Sequence, residues 1–120
     1  MATLSVLTWN LWWRFGPWEE RLPAIIETIR RLDPDIAALQ EVWVADGTSS
    51  ARRIADELGY HLAVDHRLEL DGVGFGNAVL ARWPILDTPV AEYGMSVAGA
   101  LFVVILGYLL KRRNAHRAAA

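Results

Sequence analysis

Two short apolar runs, LSVLTWN at residues 4–10 and IAALQE at residues 36–41, end in Asn10 and Glu41. Each run has the length and composition of a buried strand. The residues between them carry one amphipathic helix pattern, and a helix that connects neighbouring strands makes those strands parallel. We therefore expect Asn10 and Glu41 to lie side by side at the carboxyl ends of their strands, where open α/β sheets bind ligands. A carboxylate and an amide oxygen held together there suit a hard cation such as Mg²⁺ and a phosphate group that it carries.

The first helix is predicted from a stripe of apolar residues on one helical face, namely Leu22, Ile25, Ile26, Ile29 and Leu32. Because proline is tolerated in the first helical turn, Pro23 predicts that the helix begins near residues 19–21. Pro34 predicts its end.

A second helix is predicted over residues 51–58. Thr48, Ser49 and Ser50 are candidate caps at its start, and Gly59 is a natural left-handed terminator at its end.

The next elements are predicted to be strands. Residues 60–65 alternate weakly between apolar and polar and indicate a third strand. Three glycines then indicate a turn-rich link to a strand at residues 77–81, which Pro84 ends. Residues 85–86 predict either an edge strand or an exit loop. The three glycines are Gly72, Gly74 and Gly76.

Three motifs together resemble the endonuclease/exonuclease/phosphatase family. They are TWNL at residues 8–11, LQEV at residues 39–42 and GNAVLARWPI at residues 76–85, and the resemblance covers residues 4–88. Members of this family are Mg²⁺-dependent phosphoesterases that include DNase I-like nucleases and inositol-phosphate and sphingomyelin hydrolases. The resemblance implies the N-terminal half of a DNase I-like α/β sandwich, with elements in the order β-α-β-α-β-β, followed here by a hydrophobic C-terminal helix.

The resemblance also implies roles for individual residues. Glu41 matches the family glutamate that ligates the catalytic Mg²⁺ (or Mn²⁺), and Asn10 matches the asparagine that shapes the metal and phosphate site. Asn77 matches a position at the substrate-facing edge. Separately from the resemblance, Arg14 lies in the loop after Asn10, and its side chain has the length to reach a substrate phosphate and bind it bidentately. The structural alternatives are a loop carboxylate for Glu41, turn or strand-edge residues for Asn10 and Asn77, and a solvated loop side chain for Arg14.

Histidines and tryptophans are weaker candidates. Residues 64–66, Val-Asp-His, echo the Ser-Asp-His motif of the family, but they lie in the first part of the domain and lack the serine. A surface position for His66 is the ordinary interpretation. The tryptophans at positions 9, 12, 13 and 18 have rings that stack on substrates in some proteins, but core packing is the default for Trp.

Two family motifs are missing from this sequence. Neither Gly-Asp-x-Asn nor Ser-Asp-His occurs in it. We therefore expect a truncated family member in which the acid–base residues come from elsewhere, through self-association or a second polypeptide that supplies the missing half. Whether the chain is an enzyme stays open, because removing such groups from a hydrolytic site costs orders of magnitude in rate.

Charge is unevenly distributed along the 120 residues. Residues 1–95 contain eight Arg and fourteen acids, which gives −6, and four basic residues near the C-terminus reduce the net charge to −2. The acidic part argues against tight nonspecific binding to a nucleic-acid backbone. A phosphoester substrate is expected, either nucleic acid or a small phosphodiester. The chain has no cysteine and no visible signal peptide.

The composition divides the chain after Glu92. Residues 1–90 form the predicted phosphoesterase-like domain, residues 93–110 form a segment of eighteen residues without a charge, and residues 111–120 form a basic tail. A helix of that length spans roughly 27 Å, enough for a bilayer core. The segment is interpreted as a membrane span, a buried helix or strand, or a chimeric tail.

Two functions follow from this organisation. The first is metal-assisted phosphoester hydrolysis by descent from the family. The second is a non-catalytic, single-pass membrane protein with a remnant α/β binding domain. The expected localisation is the membrane, or otherwise the cytoplasm.

Overall fold

The computed structural model describes residues 2–86, without the side chain of Arg67. One mixed sheet has the strand order β1-β2-β5-β4, and the short strand β3 pairs with the end of β2. The elements are β1 Val6–Asn10, α1 Trp18–Leu32, β2 Ile36–Ala45, β3 Thr48–Ser49, α2 Ser50–Leu58, β4 His61–Leu70 and β5 Val73–Ala81. The predicted element order is confirmed, with β3 as an addition. Residues 87–90, the segment 93–110 and the tail 111–120 lie outside the described residues.

Strands β1 and β2 are parallel neighbours, as predicted, in a register that runs from Val6 opposite Ile36 to Asn10 opposite Gln40. Helix α1 connects them. It begins at Trp18, slightly before the predicted start, so Pro23 is its sixth residue and lies beyond the first turn. The helix ends at Leu32. The next residue, Asp33, has a left-handed backbone and donates its N–H to the carbonyl of Ile29, just before Pro34.

Strand β2 is longer than predicted. The sequence pattern predicts its end at Glu41, whereas the strand continues to Ala45. The reason is that Val42 and Trp43 are buried and pair with Gly76 and Phe75 of β5.

Strands β4 and β5 form a long hairpin. Gly74 and Gly76 lie inside β5, so the prediction that they belong to a link was wrong. The turn consists of Asp71 and Gly72, which both have positive φ, 52° and 76°, as two-residue hairpin turns require. Residues 82–86 have no regular structure, which agrees with the exit-loop alternative.

Helix α2 follows its predicted signals. The Ser49 hydroxyl accepts a hydrogen bond of 2.8 Å from the N–H of Arg52, which caps the first turn. Gly59, with φ of 75°, ends the helix in the left-handed conformation.

The core described by residues 2–86 lies between the two helices and one face of the sheet. Helix residues such as Ile29 and Ile54 pack there against Leu39 and Leu80 of the central strands. On the other face, the register aligns Ile36 and Ala38 of β2 with residues 81 and 79 of β5. Within this part of the chain, no helix is long and apolar enough to cross a membrane.

A polar clasp joins three strands at the sheet end opposite Asn10. The Asp35 carboxylate accepts hydrogen bonds from the N–H of Ser5 at 2.8 Å, from its hydroxyl at 3.0 Å, and from Nε of Arg82 at 3.0 Å. Arg82 also donates to the carbonyl of Asp33 at 2.7 Å. The arginine of the GNAVLAR motif therefore has a structural role.

This clasp predicts a pH dependence of stability. The hydrogen bond from the backbone N–H of Ser5 lowers the pKa of Asp35 below its ordinary 3.8, against an opposing effect of desolvation, and the Ser5 hydroxyl and Arg82 lower it further. Because the folded pKa is depressed, the clasp stabilises the fold above pH 3.8 and loses this effect as the pH falls through the folded value. In urea unfolding followed by far-UV circular dichroism, the free energy of unfolding should fall less in Asp35→Asn than in wild type between neutral and acidic pH. Asp56→Asn, which removes an exposed ion pair, should show the same pH dependence as wild type. If the free energy of unfolding fell equally with pH in all three proteins, the role of Asp35 would be contradicted.

Candidate metal and phosphate site

A β-bulge in the middle of β2 determines where Glu41 lies. Leu39 pairs with Ala78 of β5 and Val42 pairs with Gly76, so Gln40 and Glu41 together oppose the single residue Asn77. Leu39 and Val42 are both fully buried in the hydrophobic core. Regular alternation would have placed Glu41 on the same side of the strand as Leu39. The extra residue interrupts this alternation at Glu41, whose φ of 52° marks the bulge.

Asn10 and Glu41 are brought together, as predicted. Asn10 is the register partner of Gln40, one residue before Glu41. The chain after Asn10 stays attached to β2, because the N–H of Leu11 donates to the carbonyl of Gln40 and that of Trp13 to the carbonyl of Glu41, both at 2.8 Å. The prediction was wrong in one respect, since Glu41 lies at a bulge inside its strand and not at the strand end.

The side-chain amide of Asn10 has a fixed orientation. Its Oδ1 accepts a hydrogen bond of 2.9 Å from the N–H of Trp12, two residues ahead. Nδ2 therefore carries the donors that remain for a ligand, while Oδ1 keeps its second lone pair. Asn10 is thus suited to donate to a phosphate oxygen and can still offer an oxygen to a cation.

Polar residues align across four strands at this level of the sheet. Asn77 pairs with Asp65 of β4 on one side and faces the bulge of β2 on the other. We call Asn10, Gln40, Glu41, Asn77 and Asp65 the polar row. Asn10 and Asn77 are exposed and Glu41 is half-buried, so a ligand can reach them. Asn77, for which the resemblance implies a position at the substrate-facing edge, therefore lies directly opposite Glu41.

Arg14 lies in an aromatic stack. Its guanidinium is 4.5 Å from the ring centre of Trp18 and 4.3 Å from that of Trp43. Neither ring belongs to the polar row, and the contact of Arg14 with substrate stays a prediction.

Arg21 was missed by the sequence analysis. Its guanidinium donates to the carbonyls of Phe15, Trp12 and Trp13 at 2.9, 3.3 and 3.1 Å, and it lies 5.2 Å from the Trp12 ring centre. It thereby fixes the loop that follows Asn10, in which Trp12 and Trp13 have positive φ of 59° and 45°. The sequence did contain a signal for Arg21. A cation in the first turn of a helix is unfavourable because of the helix dipole, so its presence there indicates a specific interaction.

The remaining candidates divide into core and surface positions. Trp13 and Trp43 are buried, whereas Trp12 is 53% exposed. His66 is exposed and lies over Gly74, where an added Cβ would meet its ring at 2.6 Å. A catalytic role for Asp65 and His66 stays a prediction.

The donor set fits magnesium better than zinc. Within residues 2–86 no group of three or more His, Cys, Asp or Glu side chains is positioned to hold a metal. Structural zinc sites need such a group, whereas Mg²⁺ keeps several waters and takes one or two carboxylates together with substrate phosphate oxygens. Glu41, assisted by the free lone pair on Oδ1 of Asn10, is the residue that would hold the ion.

Comparisons with known proteins agree with the architecture. The solved endonuclease/exonuclease/phosphatase family protein from Leptotrichia buccalis C-1013-b is similar at a TM-score of 0.61 and 19% identity, over 71% of this chain and 39% of that protein. The endonuclease/exonuclease/phosphatase from Beutenbergia cavernae DSM 12333 is similar at a TM-score of 0.54 and 24% identity, over 71% of this chain and 27% of that protein. This chain therefore spans about two-fifths and about a quarter of those two structures.

A search of curated proteins gave no match. The model of the Endonuclease/Exonuclease/phosphatase family, in contrast, matches residues 7–116, which is most of the chain. The fold is that of the N-terminal part of a DNase I-like protein, with a mixed sheet and two helices on one face. The chain belongs to the endonuclease/exonuclease/phosphatase family.

Proposed function

We propose that the polar row is the metal- and phosphate-binding part of a Mg²⁺-dependent phosphoester hydrolase site. The observation that supports it most is the bulge that interrupts the strand alternation at Glu41 and sets this residue opposite Asn77 and next to the register partner of Asn10. Non-glycine residues with positive φ are costly and concentrate at functional sites. The family supports phosphoester hydrolysis as the class of reaction.

Each residue of the proposed site has a separate task. Glu41 holds the cation through its carboxylate, and Asn10 donates from Nδ2 to an oxygen of the substrate phosphate. Asn77 lies on the other side of Glu41 and donates to a second phosphate oxygen. A divalent ion bound at Glu41 supplies charge neutralisation at the phosphoryl group. Arg21 keeps the loop after Asn10 in place and is therefore a positioning residue.

The groups for general acid–base catalysis must come from outside the polar row. The Gly-Asp-x-Asn and Ser-Asp-His motifs are absent from the sequence, and the polar row contains no histidine. We propose that polypeptide beyond these 120 residues supplies the groups that activate water and protonate the leaving group. The excess of acids in residues 1–95 favours a small phosphodiester over duplex nucleic acid as the substrate.

The test uses bis-p-nitrophenyl phosphate, whose leaving group departs without a proton and so needs no general acid. We expect slow hydrolysis by the purified chain that requires Mg²⁺ or Mn²⁺, stops with EDTA, and falls about 100-fold in Glu41→Gln. Glu57→Gln is the matched control, because Glu57 lies on α2 and pairs only with Arg30 in the described part of the chain. Metal-independent hydrolysis, or equal rates in the two variants, would contradict the proposal.

A second proposal concerns the charge-free segment. Residues 93–110 lack charged side chains, and a Lys-Arg-Arg cluster follows them at once. We propose that this segment anchors the chain in a membrane as a single span. After expression and a carbonate wash, the chain should stay in the membrane fraction, and replacing two central residues, Val104 and Leu101, by Asp should release it. Recovery of the wild-type chain in the soluble fraction would contradict the span.

A further inference from the structure

An aromatic stack on the helix side of the sheet holds two arginines. The indole of Trp43, only 2% exposed, carries the guanidinium of Arg14 at 4.3 Å and that of Arg53 at 5.0 Å from its ring centre. Trp18 adds a second contact to Arg14 at 4.5 Å and meets Trp43 edge to face. Loop, strand and helix therefore converge on one ring.

The charges of this stack have no counter-charge in the part of the chain that the structure describes. Three other arginines there have carboxylate partners: Arg30 pairs with Glu27 and Glu57, Arg52 with Asp56, and Arg82 with Asp33 and Asp35. Within residues 2–86, neither Arg14 nor Arg53 has a carboxylate within 4.0 Å. Two guanidiniums beside one indole repel each other, and a bound anion would reduce that repulsion.

Arg14 also has an unsatisfied donor. Its Nε is buried and has no hydrogen-bond partner among the described residues. Buried polar atoms in folded proteins are almost always paired, so this N–H is unfavourable as it stands. It is shielded from solvent, so the terminal nitrogens of Arg14 are the donors that a ligand from solution would reach.

The stacked geometry favours one type of acceptor. An indole contacts the flat face of a guanidinium and leaves the N–H groups at its edge free, and those groups match two oxygens of a phosphate. Because the rings already hold Arg14 in place, little side-chain freedom is lost when an anion binds. A dianion carries enough charge to balance both cations.

We propose that Arg14 and Arg53 form a binding site for a phosphate dianion, either free phosphate or the terminal phosphate of a monoester. The site is built on Trp18 and Trp43 and contains no residue of the polar row. It does not depend on the proposed hydrolysis, since no metal and no reaction step is involved.

The test is a titration of the full-length chain with inorganic phosphate and, separately, with phosphoserine, in EDTA, followed by isothermal calorimetry and tryptophan fluorescence. Arg53→Gln and Arg14→Gln should each weaken binding about 10-fold or more. Arg52→Gln is the matched control, since Arg52 is the sequence neighbour of Arg53 but pairs with Asp56. It should bind within about twofold of wild type, and so should Glu41→Gln, if charge-assisted hydrogen bonds at the stack carry the affinity.

The two ligands separate the two sources of phosphate. Binding of both supports a site for the phosphate group itself, and binding of phosphoserine alone supports a site for a monoester. No binding of either ligand by wild type would overturn the proposal. Equal losses of phosphate affinity in Arg52→Gln and Arg53→Gln would also overturn it, because they would indicate a nonspecific effect of net charge. A loss of affinity in Glu41→Gln would overturn it as well, because it would place the phosphate in the polar row. Because Arg53 is exposed on α2, its variant stays interpretable even if Arg14→Gln does not fold.

Discussion

Replacing Gly76 by alanine should destabilise the protein by about 3 kcal/mol or more, the upper range for a forced steric overlap. A Cβ at this position would lie 2.1 Å from the backbone oxygen of Asp65 and 2.9 Å from the Cβ of His66. Backbone atoms of a paired strand cannot yield as a flexible side chain can. The β4–β5 hairpin would have to open next to Asn77, so metal-dependent hydrolysis should be lost along with stability.

Gly47→Ala is the matched control for this substitution. Gly47 has φ of +73° and nothing within 4 Å of an added Cβ, so only the left-handed backbone opposes alanine there. Its expected cost is about 1 kcal/mol. Urea unfolding followed by circular dichroism compares the two variants. Equal and small losses for Gly47→Ala and Gly76→Ala would contradict the close approach of β4 and β5.

Replacing Glu41 by glycine should separate stability from function. Glu41 has φ of 52°, a conformation that costs a non-glycine residue about 1 kcal/mol and that glycine adopts freely. Glu41→Gly should therefore unfold at the same or a higher urea concentration than wild type. It should also lose the hydrolysis of bis-p-nitrophenyl phosphate, because the cation then loses the carboxylate that is proposed to hold it.

Glu41→Gln serves as the control for the backbone effect. It keeps the side-chain volume and the positive φ and removes only the charge, so its stability should match that of wild type while its metal-dependent activity is lost. If Glu41→Gly were clearly less stable than wild type, the carboxylate would be needed for the fold, and the interpretation of the bulge as a functional device would be wrong.

The sequence predicted the relation between Asn10 and Glu41 for a simple reason. Two apolar runs joined by one amphipathic helix leave little choice but a parallel pair of neighbours, and parallel neighbours bring their carboxyl ends to one edge. The caps of α2 were also predictable from the sequence. The hydrogen bond of Ser49 to the helix N-terminus and the left-handed backbone of Gly59 depend on neighbouring residues and little on the rest of the fold.

The bulge was not predictable from residue patterns. The run from Ile36 to Ala45 is apolar almost throughout, and nothing in it indicates an extra residue or a left-handed glutamate. Both features arise from the pairing of β2 with β5, which lies more than thirty residues further along the chain. For the same reason β2 was ended too early.

Glycines were misread for a related reason. Glycine inside a sequence run indicates a turn when only local propensity is considered, and this was correct for Gly72. Gly76 is required because the backbone of a neighbouring strand approaches closely, which is a tertiary constraint. Arg82, which belongs to the GNAVLARWPI motif, makes its hydrogen bonds at the sheet end opposite Asn10.

The most direct test of the proposed site is a titration of the purified chain with Mn²⁺, followed by electron paramagnetic resonance of the free ion. Wild type and Glu57→Gln should bind a Mn²⁺ ion that Mg²⁺ displaces, whereas folded Glu41→Gly and Glu41→Gln should bind it about 100-fold more weakly, as expected for loss of the carboxylate ligand. Binding of equal strength in wild type and the Glu41 variants would contradict a metal site at the bulge.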